Sequence, residues 1–274
     1  GAAGSGTASV RIDLTPEVTA VVSGRARDAA VTQGSLLHGA WGVALARATG
    51  RRDVVFGSTV SGRSAPVPGI ESMVGLFIDT IPARLRLRAD DTVASAVQRW
   101  QQEQADLLDH HHVGVPTLRR IAGVDSLFDS LVVVENYPLG DTAIADPSGT
   151  VALTGIRVEE NSPYPLTLMV IPGDRLTLEL KYDAALVSAA TAQSMLDTVV
   201  AVATAPTDTL VSAVPSTKEP ALSDAPADRN AITLLDLLEA QCRATPDGIA
   251  LVHGEQSLTY AELHSRAERV AAGL

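Results

Sequence analysis

Three consecutive histidines, His110, His111 and His112, are the first residues in this sequence whose side chains suggest chemistry. Neighbouring side chains on a helix point about 100° apart, so three in a row cannot converge on one metal ion as an i, i+4 pair can. Asp109, the nearest carboxylate, is expected to face elsewhere. The run is therefore interpreted as a solvated helix end, where positive charge suits the helix dipole, and not as a metal site.

The spacing of serines and glycines argues against a serine hydrolase site and against a phosphate-binding loop. The sequence has no Gly-x-Ser-x-Gly elbow, and Ser130 begins a predicted strand instead of occupying a strand-to-helix turn. Gly62 and Gly69 bracket prolines and precede a strand, whereas a phosphate-binding loop precedes a helix. The single cysteine, Cys242, excludes an internal disulfide and a cysteine-based metal cage.

Two segments combine loop residues with polar groups at the ends of predicted buried strands. Ser61–Glu71 carries a lone arginine, Arg63, among glycines and prolines, and Val134–Pro138 contains Glu-Asn-Tyr. Each segment is equally compatible with a functional site and with a structural role, as a rigid turn or a satisfied strand end.

Composition narrows the class of protein. The chain has 274 residues, 46% hydrophobic and 19% charged, which is typical of globular domains. A net charge of −11 argues against a nucleic-acid partner. No membrane-spanning run or signal peptide is recognisable, so we expect a cytoplasmic protein without a membrane partner.

Apolar periodicity and turn residues predict one α/β unit over residues 10–204, after an upstream linker or partial segment at 1–9. Residues 205–231, with four prolines, predict a linker. Residues 232–274 predict helix, strand, strand and helix, too short to bury a core alone. Within the α/β unit the predicted helices are 16–27, 32–50, 92–112 and 188–203, and the predicted strands 53–60, 74–87, 128–135, 151–159, 165–171 and 175–182.

The two ends suggest a piece of a longer polypeptide. The chain opens at Gly1 in a run of small residues, and it stops inside the amphipathic helical pattern of Leu258–Leu274. We therefore expect a window cut from a larger protein.

Several blocks resemble the C-terminal half of a condensation domain from a nonribosomal peptide synthetase, in the family's order. They are Val60–Arg63, Pro68–Glu71, Met73–Arg84, Phe128–Pro138, Tyr164–Leu168 and Leu178–Asp183. Leu238–Gln241, Thr245–Asp247 and Leu258–Leu263 resemble the opening of an adenylation domain, truncated at residue 274.

The resemblance implies a chloramphenicol-acetyltransferase-like C-terminal lobe, a mixed sheet flanked by helices, followed by an incomplete adenylation-domain N-terminal segment. In that family two lobes enclose a tunnel, where an amine on a downstream carrier attacks the thioester of an upstream carrier. The catalytic His-His-x-x-x-Asp-Gly motif belongs to the first lobe and is absent here, because no Asp-Gly follows His111 and His112 at the required spacing. No catalytic residue is therefore assigned, and the fragment alone is expected to be inactive.

The resemblance implies a positioning role for Arg63, which would form a salt bridge to the aspartate of the missing motif. Removing one partner of a buried pair of this kind costs on the order of 3–5 kcal/mol. The implied tunnel-lining residues are Gly75, Asp79, which stands where the family usually has asparagine, Thr80, Asn136 and Tyr137.

The implied partners are the N-terminal lobe, upstream and downstream carrier domains, and the rest of the adenylation domain. The fragment is expected to bind no cofactor, metal or ATP itself; the parent would use the phosphopantetheine arms of its carriers. Three alternatives remain open: an epimerisation domain of the same fold, a non-catalytic carrier-docking lobe, and a freestanding acyltransferase. The adenylation-like segment disfavours the first and last, and the state of the upstream motif would decide the second.

Overall fold

The computed structural model describes residues 6–63, 67–135, 144–145, 152–153, 163–215, 234–253 and 256–272. The chain divides into two compact units, Gly1–Asp224 and Ala225–Leu274. No helix among these described residues is both long and apolar enough to cross a bilayer.

The helices of the first unit begin and end at local capping signals. Thr15 Oγ1 accepts a hydrogen bond from Val18 N, and Thr32 Oγ1 accepts one from Ser35 N. Gly50 closes the second helix in the left-handed region, at φ 66°. The helices are α1 (Pro16–Asp28), α2 (Gln33–Thr49), α3 (Val93–Asp106), α4 (Val115–Ala122) and α5 (Ala189–Thr204).

Six strands form one mixed sheet, in the order β1 (Thr7–Asp13), β8 (Thr177–Asp183), β7 (Leu166–Ile171), β4 (Ser130–Val134), β2 (Asp53–Val60) and β3 (Asp79–Arg86). The central strand β4 runs parallel to β2 and β7, and the remaining pairs are antiparallel. Two further short strands, β5 (Ile144–Ala145) and β6 (Ala152–Leu153), pair with each other outside this sheet.

The hydrophobic core lies between one face of this sheet and the helices. Alternate strand residues such as Phe56, Val132, Leu168 and Leu180 join the core, as the period of two requires. The neighbours of these residues in sequence, Thr167 among them, point to the opposite face. The sheet therefore has one face covered by helices and one that is available to form a site.

Two glycines let the buried helix α2 approach its neighbours closely. A Cβ at Gly39 would lie 2.6 Å from Val97 Cγ2 on α3, and one at Gly42 would lie 2.5 Å from Leu85 Cδ2 on β3. Close packing of this kind leaves no room for even one methyl group.

Most predicted elements are confirmed. The exceptions lie where contacts between distant parts of the chain determine whether an element forms and where it begins or ends. Residues 7–13, of which 7–9 were assigned to a linker or partial segment, form edge strand β1 beside β8. The predicted strand 74–87 begins only at Asp79, because Val74 and Leu76 lie exposed in the preceding loop. Helix α3 ends at Asp106 instead of 112, since Leu107 and the residues after it find no core to contact.

A short helix that the sequence pattern did not predict, α4, lies between Gly114 and Gly123, and none of its residues is buried. Most of the predicted strand 151–159 lies outside the described residues.

The first part of the predicted linker packs onto the first unit. Val211 and Val214 are buried in the core. Arg47 Nη2 donates to the carbonyl oxygens of both residues at 2.8 Å, and Val211 N donates to Asp91 O. Residues 205–215 are therefore part of the folded unit.

The second unit has the predicted order of elements. They are α6 (Leu234–Ala244), β9 (Ile249–His253), β10 (Gln256–Thr259) and α7 (Tyr260–Ala272), with β9 antiparallel to β10. Cys242, predicted to be a small core residue, is only half-buried, with its Sγ 3.4 Å from Tyr260 O.

Candidate functional site: a cavity on the open face of the sheet

A cavity of about 780 Å³ lies on the face of the sheet that the helices leave uncovered. Its floor is formed by Leu131 and Val133 of β4 and by Thr167 and Met169 of β7. The volume falls in the range of small-molecule sites, and so does the mixture of apolar walls with a few polar groups. Its other lining residues are Thr59, Val60, Ser61, Arg63, Gly75, Leu76, Phe77, Ile78, Val134, Glu135, Pro163 and Lys181.

Arg63 holds together the loop that forms one wall of this cavity. Its Nη1 donates to Ile70 O and to Met73 O, the second at 3.0 Å. Its guanidinium carbon lies 4.5 Å from the centre of the Phe77 ring, in cation–π contact. The side chain thus joins the start of the loop to its middle and its end, before β3 begins.

Gly62 makes this closed loop possible. Its φ of 65° lies in the left-handed region, and a Cβ there would lie only 1.7 Å from Phe77 O. No side chain fits between the two backbone segments, so the requirement for glycine is steric as well as conformational.

The structure brings some of the predicted site residues together and separates others. Arg63 and Gly75 both line the cavity. Asp79 lines a neighbouring pocket of about 80 Å³, and its Oδ1 accepts a hydrogen bond from Thr80 N at 2.7 Å. Thr80 pairs with Thr59 across β2 and β3 and is absent from the cavity lining. The other two predicted residues, Asn136 and Tyr137, lie outside the described residues.

The histidine run lies beside the cavity and not in it. His111 and His112 line the smaller pocket with Asp79 and Asp109, and the Nε2 of His111 is buried without a partner among the described residues. Burial lowers the pKa of His111. Over the ranges that the structure describes, no cluster of three or more His, Cys, Asp or Glu residues is arranged to hold a metal ion.

His38, which the sequence interpretation missed, lies behind the cavity and ties α2 to β2. Its Nδ1 is 2.7 Å from Gly34 O, and because a carbonyl oxygen only accepts, Nδ1 carries the proton. Its Nε2, 2.8 Å from Ser58 Oγ, then accepts from that hydroxyl. The ring stacks on Trp100, with centroids 5.1 Å apart. Ser58 directly precedes Thr59 of the cavity, so this hydrogen bond helps fix the end of β2.

We expect His38 to make the stability of the protein depend on pH. Burial lowers the pKa of His38 below its ordinary 6.5, only partly opposed by the bond to Gly34. The unfolded chain therefore binds a proton at a pH where the folded chain does not. Stability should be full above about pH 6.5 and fall by up to about 1.4 kcal/mol per pH unit below it, until the folded-state pKa is reached.

Urea unfolding between pH 4.5 and 7.5 checks this prediction with two variants. His38→Leu should be less stable at pH 7 and should lose the component of the pH slope that His38 supplies. His110→Leu, which changes an exposed histidine, should keep the slope. An identical slope in the wild type and in His38→Leu would contradict the prediction.

The fold corresponds to that of condensation domains in solved structures. The first condensation domain of the CDA synthetase matches with a TM-score of 0.61 at 18% identity, over 79% of this chain and 50% of that one. A four-domain nonribosomal peptide synthetase, crystallised with AMP and glycine, matches with a TM-score of 0.64 at 20% identity, over 98% of this chain and 23% of that one. The architecture is thus that of the chloramphenicol-acetyltransferase-like lobe, with its mixed sheet and helices.

Sequence comparison gives the family. The family model described as "Condensation domain" matches residues 4–218, and the chain belongs to that family. A linear gramicidin synthase of Brevibacillus parabrevis is 35% identical over 94% of this chain. Tyrocidine synthase 2 of the same organism is 31% identical over 88% of it. The chain spans only 5% and 7% of the lengths of these two relatives.

Proposed function

We propose that this chain is the C-terminal half of a condensation domain, followed by a linker and the opening of an adenylation domain, in a modular peptide synthetase. Its function there is to form amide bonds between a carrier-bound acyl thioester and an amine on a second carrier. The proposal rests on one observation: a chain of the condensation family has a cavity on the open face of its sheet, and the Arg63 loop forms one wall of that cavity.

The cavity is proposed to receive the reacting ends of two phosphopantetheine arms. Its walls are mostly apolar, and its volume suits a small molecule. When delivered, the arm supplies the acyl group as a thioester. The part of this chain is to exclude water and to hold the reacting groups in place, and proximity alone accounts for much of the rate in reactions of tethered groups.

The partner half is proposed to supply the imidazole of the His-His-x-x-x-Asp-Gly motif, which this sequence lacks. Arg63 is proposed to face the aspartate of that motif. Its Nη1 donates to the carbonyl oxygens of the loop, whereas Nη2 and Nε make no bond to a described residue. These two nitrogens are therefore available to donate to a carboxylate.

The adenylation assignment for residues 232–274 is supported by two observations. The alignment with the linear gramicidin synthase extends over nearly the whole chain, and the four-domain synthetase structure covers 98% of it.

The test is peptide formation by the complete synthetase module that contains this chain, supplied with a loaded donor carrier and a loaded acceptor carrier. Mass spectrometry should detect the amide product from the complete module, and neither from this chain alone nor from a module whose motif histidine is replaced by alanine. Product formed by this chain unaided would overturn the proposed division of labour. Carrier binding without any product from the complete module would favour the docking lobe instead.

A further inference from the structure

Lys181 is a basic residue of the cavity to which the proposed function gives no role. It lies on β8, is half-buried and lines the cavity. Across the sheet it is opposite Thr167 of β7 on one side and Ser9 of β1 on the other. Leu131 of β4 continues this row beyond Thr167. The side chain of Lys181 therefore has short hydroxyl and aliphatic side chains as its neighbours across the sheet.

The carboxylates near Lys181 do not pair with it. Lys181 makes no hydrogen bond or ion pair to any described residue. Asp183, two positions along the same face, accepts instead from Ala185 N at 2.9 Å. Glu179, two positions in the other direction, is opposite Arg11 and lies outside the cavity lining. Glu135 lines the cavity and has an interaction of its own.

Charge and shape together indicate the kind of group that this corner accepts. The ammonium group of Lys181 makes no bond to a described residue, so an incoming carboxylate gains charge-assisted hydrogen bonds from it without displacing a protein partner. Leu131, Val133 and Met169 of the same cavity provide an apolar surface for a short alkyl segment. An alkyl chain ending in a carboxylate satisfies both parts of the surface.

On the basis of the proposed condensation function, we propose that Lys181 determines specificity by binding a carboxylate in the side chain of one of the two condensed substrates. The substrate class is an acidic amino acid or a dicarboxylic acyl group, carried either as the donor or as the acceptor. Lys181 takes no part in bond formation, so its effect is on which substrates are selected.

Competition assays on the complete synthetase module test this proposal. One arm offers glutamyl and glutaminyl donors, or aspartyl and asparaginyl donors, with a fixed acceptor; the other arm offers the same pairs as acceptors. The wild type should prefer the acid over its amide by about tenfold or more in kcat/KM, in one arm only. That arm identifies the substrate whose side chain Lys181 contacts.

Three variants sharpen the result. Lys181→Met keeps the length and loses the charge, so the preference for the acid should disappear while turnover of the amide is kept. Lys181→Glu should transfer the preference to a substrate with a cationic side chain, such as ornithine. Arg175→Met removes an exposed cation from the β7–β8 turn and should leave the preference intact. Thermal melting checks that each variant is folded.

Two results overturn the proposal without affecting the proposed condensation function. One is a wild type that forms product with no preference for acids in either arm. The other is a Lys181→Met variant that slows every substrate equally, which means that the lysine binds a group common to all of them, such as the phosphate of the arm. If the complete module forms no amide with any substrate, the proposed function itself is wrong, and this proposal is wrong as well.

Discussion

Replacing Arg63 by alanine is expected to reduce amide formation by the complete module at least about 100-fold, the order of loss produced by a small misplacement of reacting groups. The change removes the side chain that joins the carbonyl groups of Ile70 and Met73 to the Phe77 ring. It also removes the cation proposed to face the motif aspartate. The loss should appear in kcat, measured at saturating carrier concentrations.

Two further variants separate these contributions. Arg63→Lys keeps the charge but loses the planar fork, so an intermediate rate is expected. Arg84→Ala removes an arginine whose side chain is 57% exposed and pairs with Asp53, and this change should leave the rate unaltered because exposed pairs contribute little. Amide hydrogen exchange in residues 67–78 of this chain should quicken in Arg63→Ala. Full activity in Arg63→Ala would refute both roles.

Gly62→Ala is expected to be nearly as damaging, for a steric reason. A Cβ at this position would lie 1.7 Å from Phe77 O, so the two ends of the loop would have to separate. Because this wall carries Arg63, the separation should lower amide formation by about 100-fold or more. The activity assay of the complete module and urea unfolding of this chain measure the two consequences.

Gly50→Ala provides a matched control for the backbone conformation. Gly50 has a φ of 66°, against 65° at Gly62, but a Cβ there would meet nothing within 4 Å. Both variants bear the left-handed strain of about 1–2 kcal/mol for a residue with a side chain. Only Gly62→Ala should lose more stability than this, together with activity. Equal effects of the two substitutions would show that the contact with Phe77 is unimportant.

Local signals explain which parts of the fold were predictable. Thr15 and Pro16 start α1, and Thr32 and Gly50 bracket α2, because each cap depends on residues within one turn. Strand β4 was recognisable from its continuous apolar run, which two parallel neighbours require.

The parts that were missed depend on distant contacts or on very short patterns. Strand β1 begins with the small residues Thr7, Ala8 and Ser9, and it becomes a strand because β8 provides an edge with which it pairs. Helix α4 has only 8 residues, so its apolar positions repeat over too few turns to stand out from a loop. The strand order that places Thr80 on the edge strand β3, opposite Thr59 but outside the cavity lining, was likewise not readable from the sequence.

For the candidate site, the sequence indicated the Arg63 loop through its glycines, prolines and lone charge, and the resemblance gave the class of protein. It did not indicate His38, because a single histidine on an apolar helix face reveals neither the carbonyl of Gly34 nor the hydroxyl of Ser58 that satisfies it. Nor did it indicate Lys181, which alternates in β8 like any solvent-facing lysine.

The sequence by itself thus determined most of the elements, their caps and the family blocks, because these depend on residues close together along the chain. The tertiary structure alone decided which sheet face is open and that Ser9, Lys181, Thr167 and Leu131 form one row across the sheet. The physical reason is that strand order and register are set by packing between residues far apart in the chain. The spacing of residues close together in the sequence does not show which distant residues will pack together.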